Sequence, residues 1–144
     1  MKKVLVIHGP NLNLLGTREP ETYGNRTLAD IDKALVERGQ AIDLQVETFQ
    51  SNHEGDIVYK IQAATKGCHG LVINPAAYTH TSIAIRDALL ALDIPVIEVH
   101  LSNIYKREPF RHQSKISDVV TGKITGLGHH GYRLALETID SLIT

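Results

Sequence analysis

The pair of residues best suited to proton transfer is Glu98 and His100, which flank one valine at the end of an apolar segment, 94–99. Residues two apart on a strand project to the same side. The carboxylate can therefore bond one imidazole nitrogen, orient the other and favour a protonated imidazole near neutral pH. The pattern predicts a general acid. A surface ion pair is the alternative, although an unpaired carboxylate in an apolar strand would be costly.

A second candidate pair is Arg18 and Tyr23, five residues apart in one proline-containing loop. A tyrosine can act as a base only as its anion, and populating that anion near pH 7 takes about 3–4 kcal/mol of preferential stabilisation. Arg18 is the local permanent charge that can supply it, more strongly if the loop closes and excludes water. The alternative is that Tyr23 simply fills the core.

A metal site is a third possibility, because His80 could join Glu98 and His100 as a ligand. No paired-ligand spacing supports it, and Arg107 and Arg111 nearby would oppose a cation. The prediction is therefore no metal and no cofactor. An imine mechanism is also disfavoured, because it needs a lysine at the site. Lys106 is the only lysine in the loops that carry these groups, and its neighbours indicate an exposed position.

The composition argues against several classes of function. The net charge of −1 gives no electrostatic case for nucleic acid or an anionic membrane. A single cysteine, Cys68, excludes an intrachain disulfide and fits a reducing compartment. No segment approaches the roughly 20 apolar residues of a membrane span. We therefore expect a cytoplasmic protein, with residues 1–144 forming one catalytic domain.

Strands and helices alternate along the chain. Strands are expected at 4–7, 44–49, 71–73, 94–99 and 122–125. Helices are expected at 27–38, after residue 51, at 81–92 and at 132–142. Capping boxes are predicted at Thr27/Asp30 and Ser51/Glu54, and Gly39 and Gly67 are predicted to end the first two helices.

This order predicts an α/β fold, a flavodoxin-like three-layer sandwich around a five-stranded parallel sheet of order 2-1-3-4-5. Strands 1, 3 and 4 then become neighbours, and ligands bind such sheets beyond the carboxyl ends of the strands. The polar loops after these three strands meet at that edge, which makes it the predicted active site. A non-catalytic module that binds a small anion through Asn74, Arg111 and backbone amides is the alternative from a different functional class.

Ten short motifs are spread over almost the whole chain. They are GPNLNLLG at 9–16, REP at 18–20, YG at 23–24, NP at 74–75, AYTHTS at 77–82, AIRDA at 84–88, EVHLSN at 98–103, RE at 107–108, FRH at 110–112 and GLG at 126–128. Together they closely resemble the type II 3-dehydroquinate dehydratases. The resemblance implies anti elimination of water from 3-dehydroquinate, giving 3-dehydroshikimate through an enolate. This reaction is the third step of the shikimate pathway, and quinate breakdown uses the same step, so the sequence leaves open which of the two the enzyme serves.

The resemblance also implies a role for each matched residue. Tyr23 is similar to the family's base and Arg18 to its partner, while His100, held by Glu98, is similar to the acid. Asn11 resembles the group that stabilises the enolate with a water. Further matches are Asn74 with the amides of Leu101 and Ser102 for the substrate carboxylate, His80 and Arg111 for ring hydroxyls, and Asp87 reaching in from a neighbouring subunit.

The family assembles trimers into homododecamers, which the resemblance therefore implies here. Two positions depart from the common family pattern. Ala76 stands where glycine is usual, and Thr17 precedes Arg18 where a basic residue is frequent. Neither change removes a catalytic group, but each affects a loop at the predicted site.

Overall fold

The computed structural model describes residues 1–17, 21 and 25–144. Five strands form one parallel sheet: β1 (Lys2–His8), β2 (Leu44–Gln50), β3 (Gly70–Asn74), β4 (Val96–His100) and β5 (Gly122–Thr125). Their order across the sheet is β2-β1-β3-β4-β5. The predicted fold class and strand order are confirmed.

The described part of the chain has four α-helices: α1 (Leu28–Ala41), α2 (Glu54–Ala63) and α3 (Ile83–Leu90), which connect successive strands, and α4 (His130–Ile143), which follows β5. Short 3-10 turns at Leu12–Leu14, Ala76–His80, Ile104–Lys106 and Pro109–Arg111 occupy the loops that follow β1, β3 and β4. The segment expected to be a loop after β4 therefore contains two such turns. None of the described helices combines the length and the apolar character that crossing a bilayer requires.

The core consists of two apolar layers, one on each face of the sheet. Alternate residues of β1 supply both, because Val4 and Val6 point to one layer and Leu5 and Ile7 to the other. The first layer includes Leu35 of α1 together with Leu136 and Ile139 of α4. The second includes Ile57 and Ile61 of α2 together with Ile85 and Leu89 of α3. Burial on both faces explains the continuous apolar character of the strands.

The predicted helix ends are partly correct. The capping box at the start of α1 is confirmed, since Thr27 and Asp30 exchange two hydrogen bonds of 3.1 Å. Gly39 was wrongly expected to end α1, which continues to Ala41. A Cβ on Gly39 would lie 2.5 Å from Cγ2 of Val46, so this glycine allows close packing on β2.

The predicted capping box at Ser51 and Glu54 is wrong. The residue before α2 is His53, whose side chain makes no capping bond. Ser51 Oγ instead accepts from the His53 N–H at 2.9 Å and donates to Asp56 at 3.1 Å. Gly67, at φ +83, lies beyond the end of α2 at Ala63 and completes the turns that lead to β3.

Candidate active site

The carboxyl ends of β1, β3 and β4 surround a cavity of about 190 Å³. Its described walls come from the three loops that the sequence indicated. They include Asn11 after β1, Asn74 at the end of β3, His80 in the loop after β3, His100 at the end of β4, and Leu101, Ser102, Arg107 and Arg111 after it. Sites for drug-sized ligands commonly measure about 300–1,000 Å³. The smaller volume favours a small ligand, and these polar side chains favour a polar one.

Glu98 and His100 form a buried pair at this cavity. His100 Nε2 lies 2.5 Å from Glu98 Oε2, and the two residues are 6% and 0% exposed. The alternative of a surface ion pair is therefore wrong. Because Nε2 is engaged, Nδ1 is the ring nitrogen left to meet a ligand. Glu98 itself does not line the cavity and contacts it through His100.

Three hydroxyl groups surround Glu98 on the side away from the cavity. Thr79 and Ser117 donate to its two oxygens at 2.6 Å each, and Ser114 donates at 3.2 Å. Burial by itself would raise the pKa of Glu98, but the bond from His100 and those from Ser117 and Thr79 outweigh it and lower the pKa to about 2. The carboxylate is therefore ionised across the neutral range.

These hydroxyls were not predicted from the sequence. Thr79 precedes His80 in the loop after β3, while Ser114 and Ser117 lie 16 and 19 residues after Glu98. No local periodicity links such positions to a strand residue. The sequence indicated only that such donors should exist, because a carboxylate expected to be buried must be hydrogen-bonded. It did not indicate which residues would supply them.

His80 and Arg111 both reach the cavity, and each has a protein partner. The His80 Nδ1 lies 2.7 Å from the carbonyl oxygen of Gln113, and Arg111 Nε donates to Glu108 at 3.1 Å. Burial lowers the pKa of His80, and the positive charges of His100 and Arg111 act in the same direction. His80 therefore favours the neutral form, which can both donate and accept a hydrogen bond.

The sequence left open a metal site formed by Glu98, His100 and His80. Among residues 1–17, 21 and 25–144, no group of three or more His, Cys, Asp or Glu side chains is placed to hold a metal ion. Glu98 accepts hydrogen bonds from hydroxyl groups, and the Nδ1 of His80 faces the Gln113 carbonyl.

Asn74, Leu101 and Ser102 line the same cavity, as expected for a site that holds an anion. Asn74 is buried at the end of β3, and its amide bonds Tyr132 and the Ala76 N–H. Within the described chain, the N–H groups of Leu101 and Ser102 donate no loop or turn hydrogen bond. They can serve as donors to a ligand.

Asn11 and Ala76 hold the loop backbone in unusual conformations. Asn11 has φ +68 and Ala76 has φ +53, both in the left-handed region. Asn11 is exposed beside the cavity, and its N–H donates to Asn52 at 3.0 Å. Ala76 replaces the usual family glycine where glycine would be least strained. The change from glycine to alanine therefore places a strained residue in the loop after β3.

The structure leaves the predicted roles of three site residues untested. Arg18 and Tyr23 lie outside the described residues, so the proposed base and its partner remain predictions. Asp87 is exposed on α3 and does not line the cavity of its own chain. Its predicted role in a neighbouring subunit also remains a prediction, as does the dodecamer.

Comparison with known proteins identifies the family of this chain. The family model described as dehydroquinase class II matches residues 2–140. A 3-dehydroquinate dehydratase from Ralstonia nicotianae is 61% identical, with 96% of this chain and 89% of the relative covered. A catabolic 3-dehydroquinase from Aspergillus terreus is 57% identical, with coverages of 96% and 91%.

A solved structure gives the same result at the level of the fold. The type II dehydroquinase from Propionibacterium acnes superposes with a TM-score of 0.95 at 48% identity, covering 98% of this chain and 97% of that one. Sequence and structure agree over nearly the full length of both chains. The chain belongs to the dehydroquinase class II family.

Proposed function

We propose that the protein is a 3-dehydroquinate dehydratase, a hydro-lyase that forms 3-dehydroshikimate and water by anti elimination. The observation that carries the proposal is the buried His100–Glu98 pair at a small polar cavity, in a chain of the dehydroquinase class II family. The catabolic and the other relatives are similarly close to this chain. The chemistry is thus proposed for either the shikimate pathway or quinate breakdown.

The first step is removal of a proton from C2 of the substrate. Tyr23, as the phenolate stabilised by Arg18, takes the proton, and the C–H electron pair becomes the enolate of the adjacent ketone. Asn11, exposed beside the cavity, and an ordered water stabilise the enolate oxygen. No lysine is among the described residues of the cavity wall, and Lys106 is exposed outside it. Hydrogen bonds therefore replace an imine in stabilising this charge.

The second step expels the C1 hydroxyl. The enolate re-forms the ketone, the new double bond forms between C1 and C2, and the C1–O bond breaks. His100 supplies the proton through Nδ1, so that the hydroxyl leaves as water. Ionised Glu98 bonds Nε2, orients the ring and stabilises its protonated form. The next cycle begins after His100 is reprotonated and Tyr23 deprotonated.

The remaining cavity residues hold the substrate. Asn74 and the amides of Leu101 and Ser102 bind its carboxylate, while His80 and Arg111 contact ring hydroxyls. Donors that surround an acceptor-only carboxylate give orientation as well as affinity. Asp87 would contribute from a neighbouring subunit of the proposed homododecamer.

The decisive experiment follows the absorbance of the conjugated enone product with purified protein. Wild type should form product, and Tyr23→Phe and Arg18→Ala should each lower turnover by roughly 10²–10⁴-fold, the usual contribution of acid–base catalysis. Tyr59→Phe is the matched control, because it removes a phenol hydroxyl from a residue that is 73% exposed. Near-normal turnover in Tyr23→Phe would eliminate the proposed base.

The same assay separates the enzyme from a binding module. A wild-type protein that binds 3-dehydroquinate in calorimetry but produces no absorbance change would support the module. Activity should survive exhaustive treatment with a chelator, because the proposed steps use only protein groups. Loss of activity that returns on adding a metal ion would favour the Glu98, His100 and His80 metal hypothesis instead.

A further inference from the structure

A second buried histidine connects the active site to the surface of α1. His8, the last residue of β1, is 0% exposed and has partners on both ring nitrogens. Its Nε2 lies 2.7 Å from Asp32 Oδ1, and its Nδ1 lies 2.9 Å from the Tyr132 hydroxyl. The amide Nδ2 of Asn74 donates to the same hydroxyl at 3.0 Å. These four residues form a continuous chain of hydrogen bonds that ends at the cavity.

One arrangement of protons satisfies every bond in this chain. Asn74 Nδ2–H donates to the Tyr132 oxygen, and the Tyr132 O–H donates to His8 Nδ1. His8 Nε2–H then donates to the carboxylate of Asp32, which can only accept. The His8 ring is neutral in this arrangement. A doubly protonated ring would leave the buried Tyr132 hydrogen without an acceptor among these partners.

The other end of the Asn74 amide is fixed as well. Its Oδ1 accepts the Ala76 N–H at 3.1 Å. Rotating the amide by a half-turn would direct its NH₂ group at the Ala76 N–H, and a donor would then face a donor. It would also direct Oδ1 at a Tyr132 hydroxyl whose hydrogen is already given to His8. Both contacts therefore select the same orientation of Asn74.

We propose that Asp32, His8 and Tyr132 are positioning residues, which fix the Asn74 amide so that its second N–H points to an anionic ligand. The proposal rests on the proposed function, because the ligand group concerned is the substrate carboxylate. With the orientation fixed, Asn74 presents a donor rather than its carbonyl oxygen, which would repel a carboxylate. The network therefore acts on substrate binding rather than on proton transfer.

The environment of Tyr132 supports this role. The side chain, which belongs to α4, is completely buried in the first apolar layer of the core. Its hydroxyl has His8 and Asn74 as hydrogen-bond partners there. Burial raises the pKa of Tyr132 far above its ordinary value, although the bond from Asn74 acts in the opposite direction. Tyr132 therefore remains a neutral phenol that can donate to His8.

The test is Tyr132→Phe, with Tyr59→Phe on the exposed face of α2 as the matched control. KM for 3-dehydroquinate should rise roughly ten-fold, as expected when a hydrogen bond to a charged group is weakened, while kcat changes by less than about three-fold. Inhibition by an analogue with a hydroxymethyl group in place of the carboxylate should be unaffected. An equal loss of affinity for substrate and analogue, or an unchanged KM, would overturn the proposal.

Asp32→Ala is the second variant, at the partly exposed end of the hydrogen-bond chain, where the Asp32 side chain is 29% exposed. Glu37→Ala, exposed on the same helix, is its control. KM should rise about three-fold in Asp32→Ala and stay constant in Glu37→Ala. A KM that is unchanged in Asp32→Ala, in a folded protein, would remove Asp32 from the network.

A readout without turnover separates this proposal from the proposed function. In wild type the Asn74 side-chain amide should give two resolved NMR signals whose hydrogens exchange slowly with solvent. Tyr132→Phe should accelerate that exchange by at least about ten-fold, since one amide hydrogen bond is lost. If wild type forms no product but this difference is seen, the dehydratase assignment fails and the network stands. Equal exchange in both proteins would contradict the network even in an active enzyme.

Discussion

Two histidines end strands of the same sheet that are separated by β3, and both bond a carboxylate. His100 ends β4 with Nε2 on Glu98, and His8 ends β1 with Nε2 on Asp32. They differ in their second nitrogen. The Nδ1 of His8 faces the Tyr132 hydroxyl, whereas His100 lines the cavity and keeps a nitrogen for a ligand. A carboxylate–imidazole pair can serve as the acid proposed here only where the ring also lines the cavity, and of these two histidines only His100 does so.

The largest expected difference between the two histidines is in turnover. His100→Ala should lower kcat by roughly 10²–10⁴-fold, because the proton for the leaving hydroxyl is lost. His8→Ala should instead reduce the free energy of unfolding by about 1–3 kcal/mol, because Asp32 and buried Tyr132 lose a partner. Steady-state kinetics and urea unfolding measure the two effects. A larger loss of kcat in His8→Ala than in His100→Ala would contradict the proposal that His100 is the acid.

Glu98→Gln tests the carboxylate of the catalytic pair. We expect kcat to fall by roughly 10–10²-fold, since a neutral amide still orients His100 but stabilises its protonated form less. Glu98→Gln is nearly isosteric, so KM should change little. A wild-type kcat in this variant would show that the charge of Glu98 is not used.

The same variant has a predicted effect on stability at acid pH. The folded pKa of Glu98, about 2, lies below the ordinary unfolded value of about 4.3. Its contribution is therefore complete above the unfolded pKa and is lost as the pH falls towards 2, on the order of 2–3 kcal/mol in all. Urea unfolding from pH 6 to pH 2 should show a steeper loss for wild type than for Glu98→Gln. Parallel curves would contradict the lowered pKa.

The smallest effect is expected at Ala76, whose N–H donates to the Asn74 amide at the cavity. Its φ of +53 costs an alanine roughly 1 kcal/mol relative to glycine. Ala76→Gly should therefore change the free energy of unfolding by about +0.5–1 kcal/mol, offset in part by greater flexibility of the unfolded chain. Thermal unfolding measures this gain, with Ala63→Gly in α2 as a control that should lose stability. A fall in stability for both variants would disprove the strain at Ala76.

The sequence predicted the Glu98–His100 pair more completely than the hydroxyl groups that bond Glu98. The spacing of Glu98 and His100 on one strand was enough to predict their hydrogen bond, because side chains two apart on a strand share a face. Thr79, Ser114 and Ser117 reach Glu98 from other segments, so no spacing could indicate them. The Ser51 capping box failed for a different reason, because Ser51 bonds the nearby His53 and Asp56 instead of capping α2.

By itself the sequence determined the parallel sheet, its order and the edge at which the polar loops meet. These follow from apolar runs, helix periodicity and the handedness of crossovers, which are local or general properties of chains. Only the tertiary structure decided that His8 has both nitrogens bonded, that Asn74 is fixed by Tyr132, and that Glu98 accepts three hydroxyl groups. Such partners are far apart in sequence, and packing alone brings them within hydrogen-bond distance.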